Sequence, residues 1–366
     1  MKNNVSIVGI ATTYVGTVIG AGYASGQEIL QYFLYFREHT FLIVCIATIF
    51  FFLFGYIPVY LANILASKDY LKVINPRNIK FFSSFSDFFI TLSLFGTLVI
   101  MLAGSGATFE ENFHLPLFVG ALIVCILLVL NTYSGLNVIV KVMEILTPIM
   151  FLSVLFVGIY SLLNQNSYSS EEIENATINN SDLLWHWSIS GILYVAFNFQ
   201  LALAILVPLS YRVKNNRTMF LGVLLGSLML GACAGFMCWV LKAHIVEIGT
   251  EKLPMNILAN QMSPLMGFCY AIVIFFGLYS TAITCFYGCV ERLKSLRILR
   301  RTSSLIILSI TALTGFFASL LGFKDLIGII YPLLGYGGLV IMLIILDAYF
   351  YIKRNVNARE NVKKDL

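Results

Sequence analysis

Long, almost uncharged apolar blocks dominate this sequence and leave few folds open to it. They lie at roughly 5–35, 40–66, 82–107, 115–131, 137–163, 185–210, 218–243, 264–290, 303–321 and 326–352. A helix needs about 20 apolar residues, and at least ~17, to cross a hydrocarbon core of ~30 Å, and each block meets that need. In lipid a backbone must satisfy its own hydrogen bonds, so a block of this kind becomes a helix. Membrane barrels instead use strands of about ten residues that alternate apolar and polar, a pattern these blocks lack. The expectation is an all-α membrane protein of about ten transmembrane helices, with the lipid bilayer as its main partner. With 59% hydrophobic and 11% charged residues, the chain has too little polar surface to cover a soluble core.

Basic residues set the expected orientation, because cytoplasmic loops are enriched in Lys and Arg. With the amino terminus inside, nineteen of the 23 Lys and Arg residues fall on the cytoplasmic side, and only Arg37, Lys242, Lys252 and Lys324 fall opposite. Both termini are therefore expected in the cytoplasm, with the chain in the cell membrane. The organisation expected is a first five-helix set over 1–163, an acidic outer loop over 164–184, a second five-helix set over 185–353 and a cytoplasmic tail over 354–366. Five is odd, so the second set inserts upside-down relative to the first. The first apolar block runs past Gly26 into an amphipathic stretch and shows no cleavage site of a signal peptide.

Several functions find no support. The seven cysteines lie inside apolar blocks without metal-ligand spacing and read as small hydrophobes. The four histidines fall at helix ends or loops, and no pair of them has metal spacing. No phosphate-binding loop and no catalytic constellation is present, so no enzymatic activity is expected. The net charge of +5 follows from membrane orientation and does not point to nucleic acid. No cofactor is expected, and nothing in the sequence sets an oligomeric state.

Two blocks carry residues that a membrane helix tolerates poorly. The first reads Gly16-Thr17-Val18-Ile19-Gly20-Ala21-Gly22-Tyr23-Ala24-Ser25-Gly26-Gln27-Glu28. Four glycines in eleven residues weaken a helix. Glu28 facing lipid would cost at least ~2.5 kcal/mol, so it must face protein or water. Either the glycines allow close helix packing, or the helix is discontinuous and offers bare carbonyls and N–H groups to a ligand. The sixth block, Ser188-Ile189-Ser190-Gly191 through Tyr194, Phe197, Asn198 and Gln200 with Pro208 beyond, is the second candidate break. Interrupted segments at matching positions of two inverted halves are the sequence pointer to a transporter's central site.

Ten spans with breaks in the first and sixth resemble the LeuT-type five-plus-five inverted-repeat fold of the amino acid–polyamine–organocation superfamily. More narrowly, Gly20-Ala21-Gly22-Tyr23-Ala24-Ser25-Gly26-Gln27-Glu28, with Gly104-Ser105-Gly106-Ala107 in span three, resembles the YkvI-type amino-acid permeases of bacteria. The resemblance implies a cation-coupled carrier, driven by sodium or protons, for a small solute such as an amino acid. It places the substrate pocket between spans one, three, six and eight, at Gly20, Ala21, Gly22, Tyr23, Gly104, Tyr194, Phe197 and Asn198. It also implies a sodium site that uses carbonyls of Gly16 and Ile19 with hydroxyls of span eight. There Gly277-Leu278-Tyr279-Ser280-Thr281 is similar to a Gly-Leu-Thr-Ser-Ser run of sodium symporters. Ser280 matches one hydroxyl ligand, Tyr279 departs from the pattern, and Thr281 or Thr284 would supply the other. Receptor subunits of spore germination share this size and fold class, which leaves nutrient sensing open as the alternative.

Three further charged residues are candidates for gating or coupling. Glu28 is expected above the break, on its outward side. Lys141 and Glu144, three apart at the start of span five, share a helix face. They form either a local pair with Lys141 snorkelling or a lysine that replaces the sodium ion.

Overall fold

The structure is a computed structural model that describes residues 6–131, 136–164, 168–178, 182–210, 213, 215–295 and 302–364. Among these residues it is entirely helical. The first apolar block is cut into α1 (Ile7–Val18), α2 (Ala21–Ser25) and α3 (Gln27–Tyr32), then a 3-10 turn over Leu34–His39. There follow α4 (Thr40–Leu65), the short α5 (Tyr70–Ile74), α6 (Lys80–Phe113), α7 (Leu117–Asn131), α8 (Leu136–Leu163) and the outer-loop helix α9 (Ser170–Asn175). The second half holds α10 (Trp187–Ser210), α11 (Asn216–Ala243), the short α12 (Ile245–Ile248) and α13 (Pro254–Met262), then α14 (Pro264–Ser295), α15 (Ser304–Ser319) and α16 (Phe323–Lys364).

Six of these helices are long and apolar enough to cross a membrane, and four further apolar helices are shorter. Large apolar side chains point outward along them, among them Phe41, Leu152, Trp239, Phe317 and Leu343. Water would penalise such a surface, whereas lipid tails do not. The chain is a multi-helix membrane protein.

The helices interlock in two groups. α1 and α10 pack on each other, α1 also on α11 and α10 also on α4, while α4 and α11 join the two pairs. Around them α6 packs on α14, α7 and α16, and α14 packs on α8 and α15. Glycines permit the closest crossings. A Cβ at Gly120 would strike the Ser105 carbonyl oxygen, and one at Gly106 the Leu117 carbonyl oxygen, where α6 meets α7. This close backbone approach is the usual service of small residues between membrane helices.

The expected break in span one is present. Val18 ends α1, Ile19 turns extended (φ −77°, ψ 96°), Gly20 stays extended (φ −115°, ψ −167°), and α2 starts at Ala21. A second kink follows at Gly26, whose φ of +84° lies in the left-handed region, where a Cβ is disfavoured.

The expected break in span six is corrected: α10 runs unbroken from Trp187 to Ser210. Its polar residues are satisfied without unwinding. Asn198 Nδ2 donates to its own helix at Tyr194 O, 2.9 Å away. Gln200 Nε2 donates to Leu334 O at 2.9 Å, and Gln200 Oε1 accepts from Ser93 Oγ at 2.7 Å. Gly191 serves packing, since a Cβ there would lie 3.0 Å from Ile43 O and Cγ2 on α4.

Candidate functional site

The interruption between α1 and α2 leaves eight main-chain groups bare. A helix end carries four carbonyls or four N–H groups that lack a partner within the helix. Here the two ends meet. Among the described residues, the carbonyls of Gly16, Thr17, Val18 and Ile19 accept no hydrogen bond, and the N–H groups of Gly20, Ala21, Gly22 and Tyr23 donate none. The flanking groups are paired: Ile19 N donates to Val15 O at 2.8 Å and Ala24 N donates to Gly20 O at 3.0 Å. Buried bare backbone of this kind is costly and is tolerated at membrane depth where it lines a cavity.

It does line one. A cavity of about 650 Å³ opens beside the break, bounded by Gly16–Gly22, by α6, α10 and α14, and by Glu28 and Tyr331. It reaches from Glu28 past Thr97 and Asn198 to Tyr70, Tyr287 and Arg292. At that end Arg292 of α14 is ion-paired with Asp87, near the start of α6, and its guanidinium lies 5.5 Å from the centre of the Tyr70 ring. The opposite end of the bundle is tied shut by polar contacts. Arg37 donates to the carbonyls of Ile173 and Ala176. Glu247 accepts from Tyr168 and Gln261. Lys252 Nζ meets Glu110 Oε2 at 2.6 Å, and Tyr336 donates to Leu183 O at 2.8 Å.

Most of the expected site residues meet around this cavity. Gly16, Ile19, Gly20, Ala21, Gly22, Glu28, Phe197, Asn198, Ser280, Thr281 and Thr284 all line it. Phe197 stacks on Tyr331, with ring centroids 4.1 Å apart. On α14, Ser280 Oγ donates to Gly277 O at 2.9 Å and Thr284 Oγ1 donates to Ser280 O at 2.9 Å. Thr281 faces the break: a Cβ built on Gly20 would stand 3.7 Å from Thr281 Oγ1. Tyr279 lies beside Asn131 of α7 instead, so the departure at that position does not fill the gap between α1 and α14.

Three expected lining residues stand behind the wall. Tyr23 donates to Cys233 O on α11 at 2.5 Å. Tyr194 packs edge-on against Phe33, with centroids 5.0 Å apart. Gly104 is a packing position, where a Cβ would lie 2.8 Å from both Leu278 Cδ2 and Phe323 Cε2. The side chains of Lys141 and Glu144 lie outside the described residues.

Glu28 sits closer to the break than its sequence distance implies. The left-handed turn at Gly26 redirects α3, and the Glu28 carboxylate folds back onto Gly22, where a Cβ would overlap it. Glu28 is 5% exposed. The hydroxyls of Tyr331 and Tyr194 approach its carboxylate, yet Oε2 has no hydrogen-bond partner.

Sequence reasoning overlooked Ser93, Thr97 and Tyr331. Thr97 Oγ1 is buried, unpartnered and on the cavity wall. Ser93 and Thr97 are four apart in an apolar helix, which puts them on one face; that spacing was the available signal. Tyr331 precedes Pro332 within α16 and looked like one more aromatic in an aromatic-rich chain.

Comparison with known proteins agrees with this architecture. No family model matches the chain. It is 28% identical over 337 residues to the membrane protein YkvI of Bacillus subtilis, covering 89% of this chain and 91% of that one. It is 27% identical over 337 residues to YyaD of the same organism, covering 91% and 94%. Among solved structures, the inward-facing conformation of Mhp1 superposes with a TM-score of 0.64 at 14% identity, over 96% of this chain and 78% of that one. A manganese transporter of Eremococcus coleocola superposes with a TM-score of 0.58 at 14% identity, over 94% and 78%. Along most of its length the chain is thus similar to the membrane protein YkvI and to YyaD, and it has the LeuT-type fold of Mhp1 and the manganese transporter.

Proposed function

We propose that this chain is a cation-coupled secondary transporter that carries a small solute, an amino acid by class, through alternating access. One observation carries the reading: the interrupted first span, whose unbonded main-chain groups from Gly16 to Gly22 open on a cavity bounded by α6, α10 and α14. Carbonyls of this kind suit a cation and the N–H groups suit an anionic or carbonyl group of a cargo. In this reading the four shorter apolar helices cross the membrane as well, which gives ten spans, with residues 1–163 and 185–353 as inverted halves. The packing supports that pairing. α1 on α11 and α10 on α4 are equivalent contacts if α1 corresponds to α10 and α4 to α11, and α6 on α16 is likewise equivalent to α14 on α8.

With both termini cytoplasmic, the cavity opens inward and the polar layer around Arg37, Glu247 and Lys252 closes the outside. Likeness to an inward-facing structure supports this assignment. The coupling ion is sodium in the reading that the donor set favours. Gly16 and Ile19 carbonyls with Ser280 and Thr281 hydroxyls form a neutral set of hard oxygen atoms. A manganese ion has less to recommend it, since the described residues hold no group of three or more His, Cys, Asp or Glu that could bind a metal ion.

Counterflow in proteoliposomes tests the function. Vesicles loaded with unlabelled amino acid should accumulate the labelled form saturably, and faster with external sodium. Binding without exchange would instead identify a nutrient sensor of the same fold.

A further inference from the structure

The cavity has an unbalanced charge. Among the described residues, only Glu28 and Arg292 of its lining side chains carry one. Arg292 lies at the mouth and is paired with Asp87. Glu28 lies at the other end, 95% buried by its 5% exposure, and no cationic side chain of the described residues pairs with it. Its Oε2 has no hydrogen-bond partner. A buried carboxylate without a counter-ion is strongly disfavoured, so Glu28 either holds a proton or is complemented by a mobile cationic group when the site is in use.

The surroundings narrow what that is. The carboxylate rests on Gly22, beside the bare N–H groups of α2. The stacked rings of Phe197 and Tyr331 form an aromatic wall on the same cavity. Tyr194 and Tyr331 bring hydroxyls to the carboxylate. A group that donates several hydrogen bonds, carries one positive charge and continues into an apolar body would satisfy all of these together. An ammonium group has three donors and is attracted to aromatic faces.

We propose that Glu28 is the binding site for the cargo's own ammonium group, and that the transported class is small primary amines with an apolar body. The proposal rests on the transporter reading above and deepens it. An α-amino acid fits well, since its carboxylate would reach the N–H groups at Gly20 and Ala21 while its ammonium meets Glu28. The carboxylate of the cargo is dispensable in this scheme and the amine is not.

The test uses purified full-length protein in detergent and matched probes: phenylalanine, phenethylamine and 3-phenylpropionate, then leucine, isoamylamine and 4-methylpentanoate, each with and without sodium. The amines and amino acids should raise the melting temperature, and the deaminated acids should not. Glu28→Gln should weaken the amine response at least tenfold in half-saturating concentration. It should still give a monodisperse, cooperatively melting protein, since it removes a buried charge rather than a packed volume. Glu28→Asp should recover part of the response. The proposal is overturned if no amine stabilises the protein, if the deaminated acids do so equally well, or if Glu28→Gln keeps the amine response. Stabilisation by sodium alone that vanishes in Glu28→Gln also overturns it and makes Glu28 an ion ligand. Counterflow separates the two levels. Exchange of deaminated acids would sink the amine site and keep the transporter, whereas amine binding without exchange would keep the amine site and sink the transporter.

Discussion

The carboxylate of Glu28 folds back onto Gly22, so tightly that a Cβ at position 22 would overlap Glu28 Oε1. Gly22 lies in α2 and Glu28 in α3, with the left-handed turn at Gly26 between them. Among the described residues, the one acid that lines the cavity beside the break is thus placed by two glycines, one that turns the chain and one that makes room.

Gly22→Ala should therefore act on function more than on folding. The obstructing atom is the end of a flexible side chain, which can swing away, and Ala favours helix over Gly by about 1 kcal/mol. Thermal stability should change by less than about 1.5 kcal/mol while cargo affinity falls at least tenfold. Glu28→Gln and Gly22→Ala should be strongly non-additive in a double-mutant cycle of cargo binding, as expected for residues in contact. Additive effects would mean that the two positions act separately.

The hydroxyls of α14 should differ in weight. Ser280 already donates to Gly277 O, whereas Thr281 faces the Gly20 backbone across the break. Thr281→Val keeps the shape and removes the oxygen. Its sodium half-saturation in uptake assays should rise at least tenfold, and more than that of Ser280→Ala. Equal sodium dependence in both variants would remove α14 from the ion site.

Gln200 joins three helices by donating to Leu334 O on α16 and accepting from Ser93 Oγ on α6. Gln200→Leu would remove both bonds and leave the buried Ser93 hydroxyl without its acceptor, at a cost of about 1–3 kcal/mol before relaxation. A lower melting temperature of the purified variant checks this, and Gln200→Glu should not restore it, because a carboxylate cannot donate to Leu334 O.

Asp87 and Arg292 join α6 to α14 at the mouth of the cavity. Asp87 is 45% exposed in its side chain, so the pair adds only ~0–1 kcal/mol to stability. Arg292→Gln should leave the melting temperature nearly unchanged and widen the mouth. Cys285 lines the same cavity, and its labelling by a small maleimide, read peptide by peptide by mass spectrometry, should speed up several-fold. Unchanged labelling would show that the pair does not govern access.

Some of this was legible from residues alone, for a physical reason. Burial of long apolar blocks in lipid is a local property, so over the described residues each expected span from 40–66 to 326–352 overlies one helix, while the first falls on α1, α2 and α3. The break in span one was also local: glycines at 16, 20 and 22 lower the helical preference wherever that segment is placed. The polar residues of span six misled because sequence cannot tell an amide that unwinds a helix from one that bonds across to another. Asn198 and Gln200 found partners at Tyr194 and Leu334, and α10 stayed whole. Whether Gly104 lines a pocket or admits Leu278 and Phe323 depends on which face of α6 meets α14. Thr97 and Tyr331 became cavity residues only when α6 and α16 converged on the break. The sequence by itself determined the membrane helices and the weak point in the first of them, because solvation and backbone propensity act residue by residue. Tertiary structure alone decided which polar groups are left without partners, because satisfying a hydrogen bond between helices depends on where a second helix lies.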